Sequence, residues 1–109
     1  GNAEAIAEKI FAKDVKDRPK IALQFYIYDM LLDGRKEVAG RKIYNCVYST
    51  ASLFSRPPVN VPKNDVFFKA VSERLEKILD EMYDTDVPFR RTEDVRICAY
   101  CDFKTICGR

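Results

Sequence analysis

The sequence predicts a mixed α/β chain, an α+β fragment in which helices surround one or few strands. Two segments, 3–12 and 64–83, place apolar residues at helical spacing, and a third, 20–32, is apolar almost all the way round. Residues 42–50 alone combine the β-branched and aromatic residues typical of a strand. Because a single strand cannot form a sheet, we expect its partners to come from elsewhere.

The helical segments have recognisable ends. The first carries Ala7 and Ile10 on its apolar face, and Pro19 suits the start of the second. Gly34 is a suitable stop for the second helix, whose apolar residues on all sides predict burial within a larger body. Asn64 or Asp65 is expected to cap the third helix.

The strand and the loop after it are defined by opposite compositions. In 42–50, Asn45 and Val47 fall on one face and Cys46 on the other. Residues 55–64 contain three prolines and predict a loop. The tail, 84–109, has few helix or strand signals.

Composition limits the function. The 109 residues form at most one small domain or a piece of a larger one. The 19 basic and 17 acidic residues give a net charge of only +2 and are spread along the chain, so a basic surface for nucleic acid must be assembled by folding. The absence of histidine excludes Ser-His-Asp and Cys-His catalysis and imidazole zinc sites.

No membrane or secretion signal is apparent. The longest uncharged run, 43–55, has 13 residues, whereas a spanning helix needs about 20 apolar ones. Charges at Glu4, Glu8 and Lys9 interrupt any signal peptide, so we expect a cytoplasmic protein without membrane contact. A start without Met predicts a piece of a longer protein.

Three of the four cysteines, Cys98, Cys101 and Cys107, lie in the last twelve residues as C-x2-C-x5-C. This spacing can direct several thiolates to one metal, and a cytoplasmic origin disfavours disulfides. Three ordinary thiols, or one disulfide with a spare thiol, are the alternatives. Three thiolates are one fewer than a structural zinc or an iron–sulfur cluster usually takes.

The tail RICAYCDFKTICGR, residues 96–109, resembles the C-terminal end of RecB-like nucleases of the PD-(D/E)XK superfamily. It is similar to the iron–sulfur branch that includes the AddB-type helicase–nuclease subunits and the CRISPR-associated exonucleases. The resemblance implies that Cys98, Cys101 and Cys107 hold a [4Fe-4S] cluster with a fourth cysteine from far upstream. We interpret Cys46, in mid-strand, as a small buried apolar residue rather than that ligand.

A second motif carries the same resemblance. Gln24 and Tyr28 reproduce the Q-x-x-x-Y motif that follows the catalytic strands in RecB-like nucleases. Residues at i and i+4 share a helix face, so an amide and a phenol there can orient water, a metal-bound carboxylate or a DNA phosphate. Without the family, a packed tyrosine beside an incidental glutamine would be the simpler interpretation. The resemblance covers roughly 20–54, the motif helix and following strand, and 88–109.

The family's chemistry is phosphodiester hydrolysis with Mg²⁺ or Mn²⁺ held by carboxylates beside a lysine. Two D-x-K triplets occur, Asp14-Val-Lys16 in a charged connector and Asp102-Phe-Lys104 in the tail. Neither lies on an apolar strand, and such triplets arise by chance in a charged chain. We therefore assign neither as catalytic.

The resemblance implies an incomplete PD-(D/E)XK restriction-endonuclease-like core, the C-terminal portion of a metal-dependent DNA exonuclease of repair and recombination. It would act with DNA and a helicase domain or subunit, be inactive alone and be prone to self-association. The alternative is a small zinc-binding interaction module that uses all four cysteines. An iron–sulfur chromophore or zinc on four thiols would separate the two.

Overall fold

The computed structural model describes residues 2–13, 15 and 17–109. In chain order the elements are α1 (Asn2–Phe11), α2 (Lys20–Leu32), β1 (Tyr44–Val47), β2 (Val59–Pro62), α3 (Asp65–Tyr83) and the one-turn α4 (Val95–Cys98). Two short 3-10 turns, Lys36–Val38 and Thr50–Ser52, lie between them. The architecture is therefore the expected mixture of helices and a small sheet.

The three main helices begin and end close to the predicted positions. Asn64 caps α3, since its side-chain oxygen accepts a hydrogen bond from the Phe67 amide at 3.0 Å. Helix α2 ends where Gly34 adopts a left-handed φ of 73°, a conformation that glycine takes without steric cost.

The core is small and lies mainly between α1 and α3. Ala7 and Ile10 of α1 are buried against Val71 of α3, and Tyr26 of α2 completes the set of buried apolar side chains in the described chain. Half-buried side chains around them, such as Phe68, extend the cluster. Helix α2 is therefore attached to the α1–α3 pair along one side.

Tyr26 fixes that attachment. Its ring lies 5.1 Å from the Phe68 ring between centroids, and its hydroxyl is 3.0 Å from the Ser72 hydroxyl. Ser72 donates its own proton to the Phe68 carbonyl at 2.9 Å, so Tyr26 is the donor to Ser72. A buried phenol is thus satisfied without water.

The sheet corrects one prediction. Strand β1 pairs antiparallel with β2, with Tyr44 opposite Pro62 and Val47 opposite Val59. The partner comes from within the chain, in the segment 55–64 that its prolines had marked as a loop. Proline is tolerated because each strand of a two-stranded sheet has an open edge.

The faces of β1 alternate as predicted, but Cys46 is not buried. Asn45 and Val47 are half-buried, whereas Cys46 is exposed, contrary to its interpretation as a small buried residue. The reason is that no other described element covers that face of the two-stranded sheet, where Tyr44 and Tyr48 are exposed as well.

The described chain is more open than a globular protein of its mass. Its accessible surface is 9342 Å², against about 6,200 Å² expected for 12.6 kDa. Its radius of gyration is 17.6 Å, against about 13 Å for a compact domain of this length. Within the described chain, α1 and α3 cover only one side of α2, so the predicted burial of its other sides requires a larger body.

Among the described residues, none of the helices combines the length and the apolar character needed to cross a bilayer.

Candidate functional site

The two faces of α2 meet different surroundings. Tyr26 is 4% exposed, whereas Tyr28, two residues later, is 53% exposed. Gln24 shares the exposed face with Tyr28, as the i, i+4 spacing requires. Neither side chain makes a hydrogen bond within the described chain, so both polar groups are open to a ligand or a further protein segment.

Apolar side chains surround this pair. Ile21, Ile27 and Leu31 are all exposed on the same side of α2. A polar pair within an apolar surface is typical of a contact region, since clustered exposed apolar residues mark sites that another body covers. We call these five residues, Ile21, Gln24, Ile27, Tyr28 and Leu31, the exposed face of α2.

Asp29 is a residue that the sequence did not single out. It is 3% exposed, and its Oδ1 accepts a hydrogen bond from the Asn45 side-chain amide at 3.0 Å. The bond joins α2 to β1 across sixteen residues. It ties the helix that carries Gln24 and Tyr28 to the sheet. Its only sequence signal is an acidic residue inside an otherwise apolar helix.

The tail cysteines lie in short-range structure. Cys98 is the last residue of α4, and its carbonyl accepts a hydrogen bond from the Cys101 amide at 3.1 Å. Cys107 follows in a series of turns and donates its amide to the Phe103 carbonyl at 3.2 Å. Cys98 and Cys101 are half-buried and Cys107 is exposed; all are free thiols.

Arginines hold the tail together. Arg109 donates to the Thr92 carbonyl at 2.7 Å, and Arg91 donates to the Cys107 carbonyl. Arg96 makes a two-point contact with Asp94, whose hydrogen bond at 2.8 Å and negative charge raise the pKa of the Arg96 guanidinium above its ordinary value. The cysteine loop is thereby closed by bonds within residues 91–109.

The described residues do not form a ready metal site. No group of three or more Cys, Asp or Glu side chains among them is arranged to hold an ion. Among these residues, neither three thiolates nor three carboxylates lie together.

The two D-x-K triplets have different outcomes. Asp14 and Lys16 lie outside the described residues. Asp102 and Lys104 are exposed in the turns of the tail.

A cavity of about 700 Å³ lies beside the C-terminal end of α2. Its walls come from Asp29 and Leu32 of the helix, the 33–43 segment and the paired ends of β1 and β2. Five cationic side chains line it, namely Arg35, Lys36, Arg41, Lys42 and Lys63. Four of these five lie in the single stretch 35–42, a local concentration of positive charge that the even balance along the whole chain conceals.

The chain is thus an α+β arrangement in which the Q-x-x-x-Y helix is joined to a small antiparallel sheet by the Asp29–Asn45 hydrogen bond. The family model of the PD-(D/E)XK nuclease superfamily matches residues 3–108. The chain belongs to that superfamily. Searches of curated proteins and of solved structures found no match.

Proposed function

We propose that the chain is the C-terminal part of a RecB-like nuclease domain of the AddB and iron–sulfur exonuclease branch. The whole protein hydrolyses DNA phosphodiesters with Mg²⁺ or Mn²⁺ in repair and recombination, together with a helicase domain or subunit. Membership of the nuclease superfamily, matched over residues 3–108, is the observation that carries this proposal.

The exposed face of α2 supports the placement of the active site. Gln24 and Tyr28 point away from the α1–α3 core, and the apolar residues beside them give a surface for the strands that carry the catalytic carboxylates and lysine. Once that surface is covered, the amide and phenol lie at the edge of the metal site. There they orient a carboxylate, a water molecule or a phosphate through hydrogen bonds.

The same geometry explains why this chain is inactive alone in our proposal. Hydrolysis of this class needs carboxylates that converge on Mg²⁺, and the described residues bring no such group together. Robust Mg²⁺-dependent cleavage of DNA by the purified 109-residue chain, abolished by Asp14→Ala or Lys16→Ala, would contradict this part of the proposal.

The motif is tested in the full-length protein by cleavage of end-labelled linear DNA with Mg²⁺. We expect Tyr28→Phe and Gln24→Ala each to lower kcat by about 10- to 100-fold, the usual effect of losing a group that orients metal ligands. The matched control is Tyr83→Phe, which removes a phenol from an exposed tyrosine at the end of α3. Equal rates for Tyr28→Phe and wild type would remove Tyr28 from the site.

The cysteine tail enters the proposal as three of the four ligands of a [4Fe-4S] cluster in the full-length protein. Cys98, Cys101 and Cys107 lie within ten residues, and the loop is already closed by Arg91 and Arg109. The fourth thiolate comes from another segment in this proposal, and Cys46, which lies in mid-strand on β1, is not that ligand.

Anaerobic reconstitution of the full-length protein with iron and sulfide tests the cluster. We expect absorbance at about 400 nm that is lost with Cys101→Ser and retained with Cys46→Ser. Stoichiometric zinc bound through all four thiols would contradict the cluster and favour an interaction module.

A further inference from the structure

We propose that the cavity beside α2 binds the backbone of a single-stranded nucleic acid, with phosphates on Arg35, Arg41 and Lys42 and one base on the Tyr44 ring. The inference rests on the proposed function only in taking nucleic acid as the substrate. It adds where on this chain the strand is held and in which form.

Two repeated tripeptides supply the cations. Gly34-Arg35-Lys36 and Gly40-Arg41-Lys42 occur six residues apart. In each case a residue with φ near −60° and ψ near 130° precedes a glycine with φ near +73°. These angles define type II turns, in which the third position favours glycine. The arginine at the fourth position closes each turn.

The turns are closed by backbone hydrogen bonds. Arg35 donates its amide to the Leu32 carbonyl at 3.1 Å, and Arg41 donates to the Val38 carbonyl at 3.0 Å. Both arginines are therefore held at fixed backbone positions rather than in an irregular loop. Because two successive turns place the arginines, these cations differ from a scattered set of surface charges.

Three acidic residues, Asp29, Asp33 and Asp65, line the cavity beside the cations. Asp29 accepts the bond from Asn45, and Asp33 lies 3.7 Å from the Lys63 ammonium. Asp65 is the first residue of α3, where the helix dipole favours a carboxylate. Of the three, only Asp33 is paired with a cation in the described part of the chain, and the five cations against three carboxylates in the lining leave a positive balance that attracts phosphate.

The cations divide into one that is engaged and four that are available. Lys63 contacts Asp33 and lies 4.7 Å from the centroid of the Phe68 ring. Arg35 uses only its Nε, which donates to the Leu31 carbonyl at 3.2 Å and leaves its two terminal nitrogens free for a ligand. Within the described chain, the remaining three, Lys36, Arg41 and Lys42, are exposed and form no ion pair.

The exposed Tyr44 ring favours a single-stranded over a double-stranded nucleic acid. It lines the cavity, is 57% exposed and lies beside Lys42 at the start of β1. An exposed ring next to cations is the arrangement by which single-strand binders stack a base and hold its phosphates. Bases in a duplex are already stacked on one another, so the ring has no such partner there. A volume of about 700 Å³ is within the range of small-ligand sites.

Binding of a fluorescent (dT)12 to the 109-residue chain, measured by anisotropy in EDTA between 50 and 200 mM NaCl, tests the inference. Because EDTA prevents cleavage, the result is independent of catalysis. We expect the double variant R41A/K42A to bind about tenfold more weakly at the lowest salt. We also expect it to reduce the slope of log affinity against log salt by about 1.4, which is two phosphates at about 0.7 each.

The matched control is K9A/K77A, which removes the same charge from exposed lysines on α1 and α3 outside the cavity. It should leave the slope nearly unchanged. Tyr44→Leu should weaken binding by at least about fivefold, and Tyr44→Phe should retain it. Far-UV circular dichroism of each variant verifies that the helices persist.

Three outcomes would overturn the inference: no binding of (dT)12 by the wild-type chain, an equal loss in the control, or equal competition by a duplex of the same length. None of them bears on the superfamily activity, which the cleavage assay with Tyr28→Phe tests separately. Conversely, loss of binding in R41A/K42A would support this site even if the full-length protein cleaved no DNA.

Discussion

The polar groups on the two faces of α2 differ in whether they have hydrogen-bond partners within the described chain. On the buried face, the Tyr26 hydroxyl and the Asp29 carboxylate each have a hydrogen-bond partner from another element, Ser72 and Asn45. On the exposed face, Gln24 and Tyr28 have none within the described chain. A helix so firmly oriented on one side, yet open on the other, holds the open side in a defined direction for whatever covers it.

The largest expected effect separates the two tyrosines. Tyr26→Ala should lower the free energy of unfolding by about 3 to 5 kcal/mol, since it empties an aromatic site in a small core. Tyr28→Ala should change it by no more than about 0.5 kcal/mol, because the ring already contacts solvent. Urea unfolding followed by circular dichroism at 222 nm measures both. Similar losses for the two would show that the faces do not differ in packing.

The second-largest loss of stability is expected from breaking the Asp29–Asn45 hydrogen bond between α2 and β1. Asp29→Ala should cost about 2 kcal/mol, the worth of a hydrogen bond to a charged group, and it leaves the Asn45 amide without its acceptor. Asp29→Asn keeps an acceptor oxygen and is the control, with a smaller loss expected. If the urea midpoint of Asp29→Ala equalled that of the wild type, the bond would not stabilise the attachment of α2 to β1.

A smaller effect is expected for the hydroxyl of Tyr26. Tyr26→Phe keeps the ring against Phe68 and removes the donor to Ser72, which should cost about 1 kcal/mol. Ser72→Ala removes the other partner, and the double variant measures the coupling between them. A coupling energy near zero would mean that packing alone holds α2 on α3.

The smallest effect on stability is expected on the exposed face. Leu31→Lys should leave the free energy of unfolding within about 0.5 kcal/mol of wild type and yet reduce self-association, since it charges an apolar contact surface. Light scattering at rising concentration measures this, with Leu79→Lys on α3 as the matched control. A wild-type chain that remains a monomer at high concentration would refute self-association through this face.

The sequence predicts the helices well and the sheet only in part. Helical spacing and the caps at Asn64 and Gly34 are local signals, so α1, α2 and α3 could be placed from them. Strand β2 was missed because Pro62 and the prolines before it outweighed the alternation of Val59 and Val61. A two-stranded sheet tolerates proline in a way that a longer sheet would not.

The candidate site, like the sheet, could be predicted from the sequence only in part. Gln24 and Tyr28 could be placed on one face from spacing alone, but the partnership of Asp29 with Asn45 is a tertiary contact that no local pattern encodes. The basic cavity had a local signal, the repeated Gly-Arg-Lys, although the even overall charge concealed it. Whether the cysteines bind a cluster depends on a fourth ligand, which spacing in the tail does not supply.

The open shape of the chain has a consequence for its unfolding transition. A fully unfolded chain of this mass exposes about 18,300 Å², so unfolding from 9342 Å² uncovers roughly three-quarters of what a compact domain would. Because the dependence of unfolding free energy on urea scales with the area uncovered, the transition should be correspondingly shallow. A partner that covers α2 should make the transition steeper and move its midpoint to a higher urea concentration. The steepness therefore reports that the apolar face of α2 is covered.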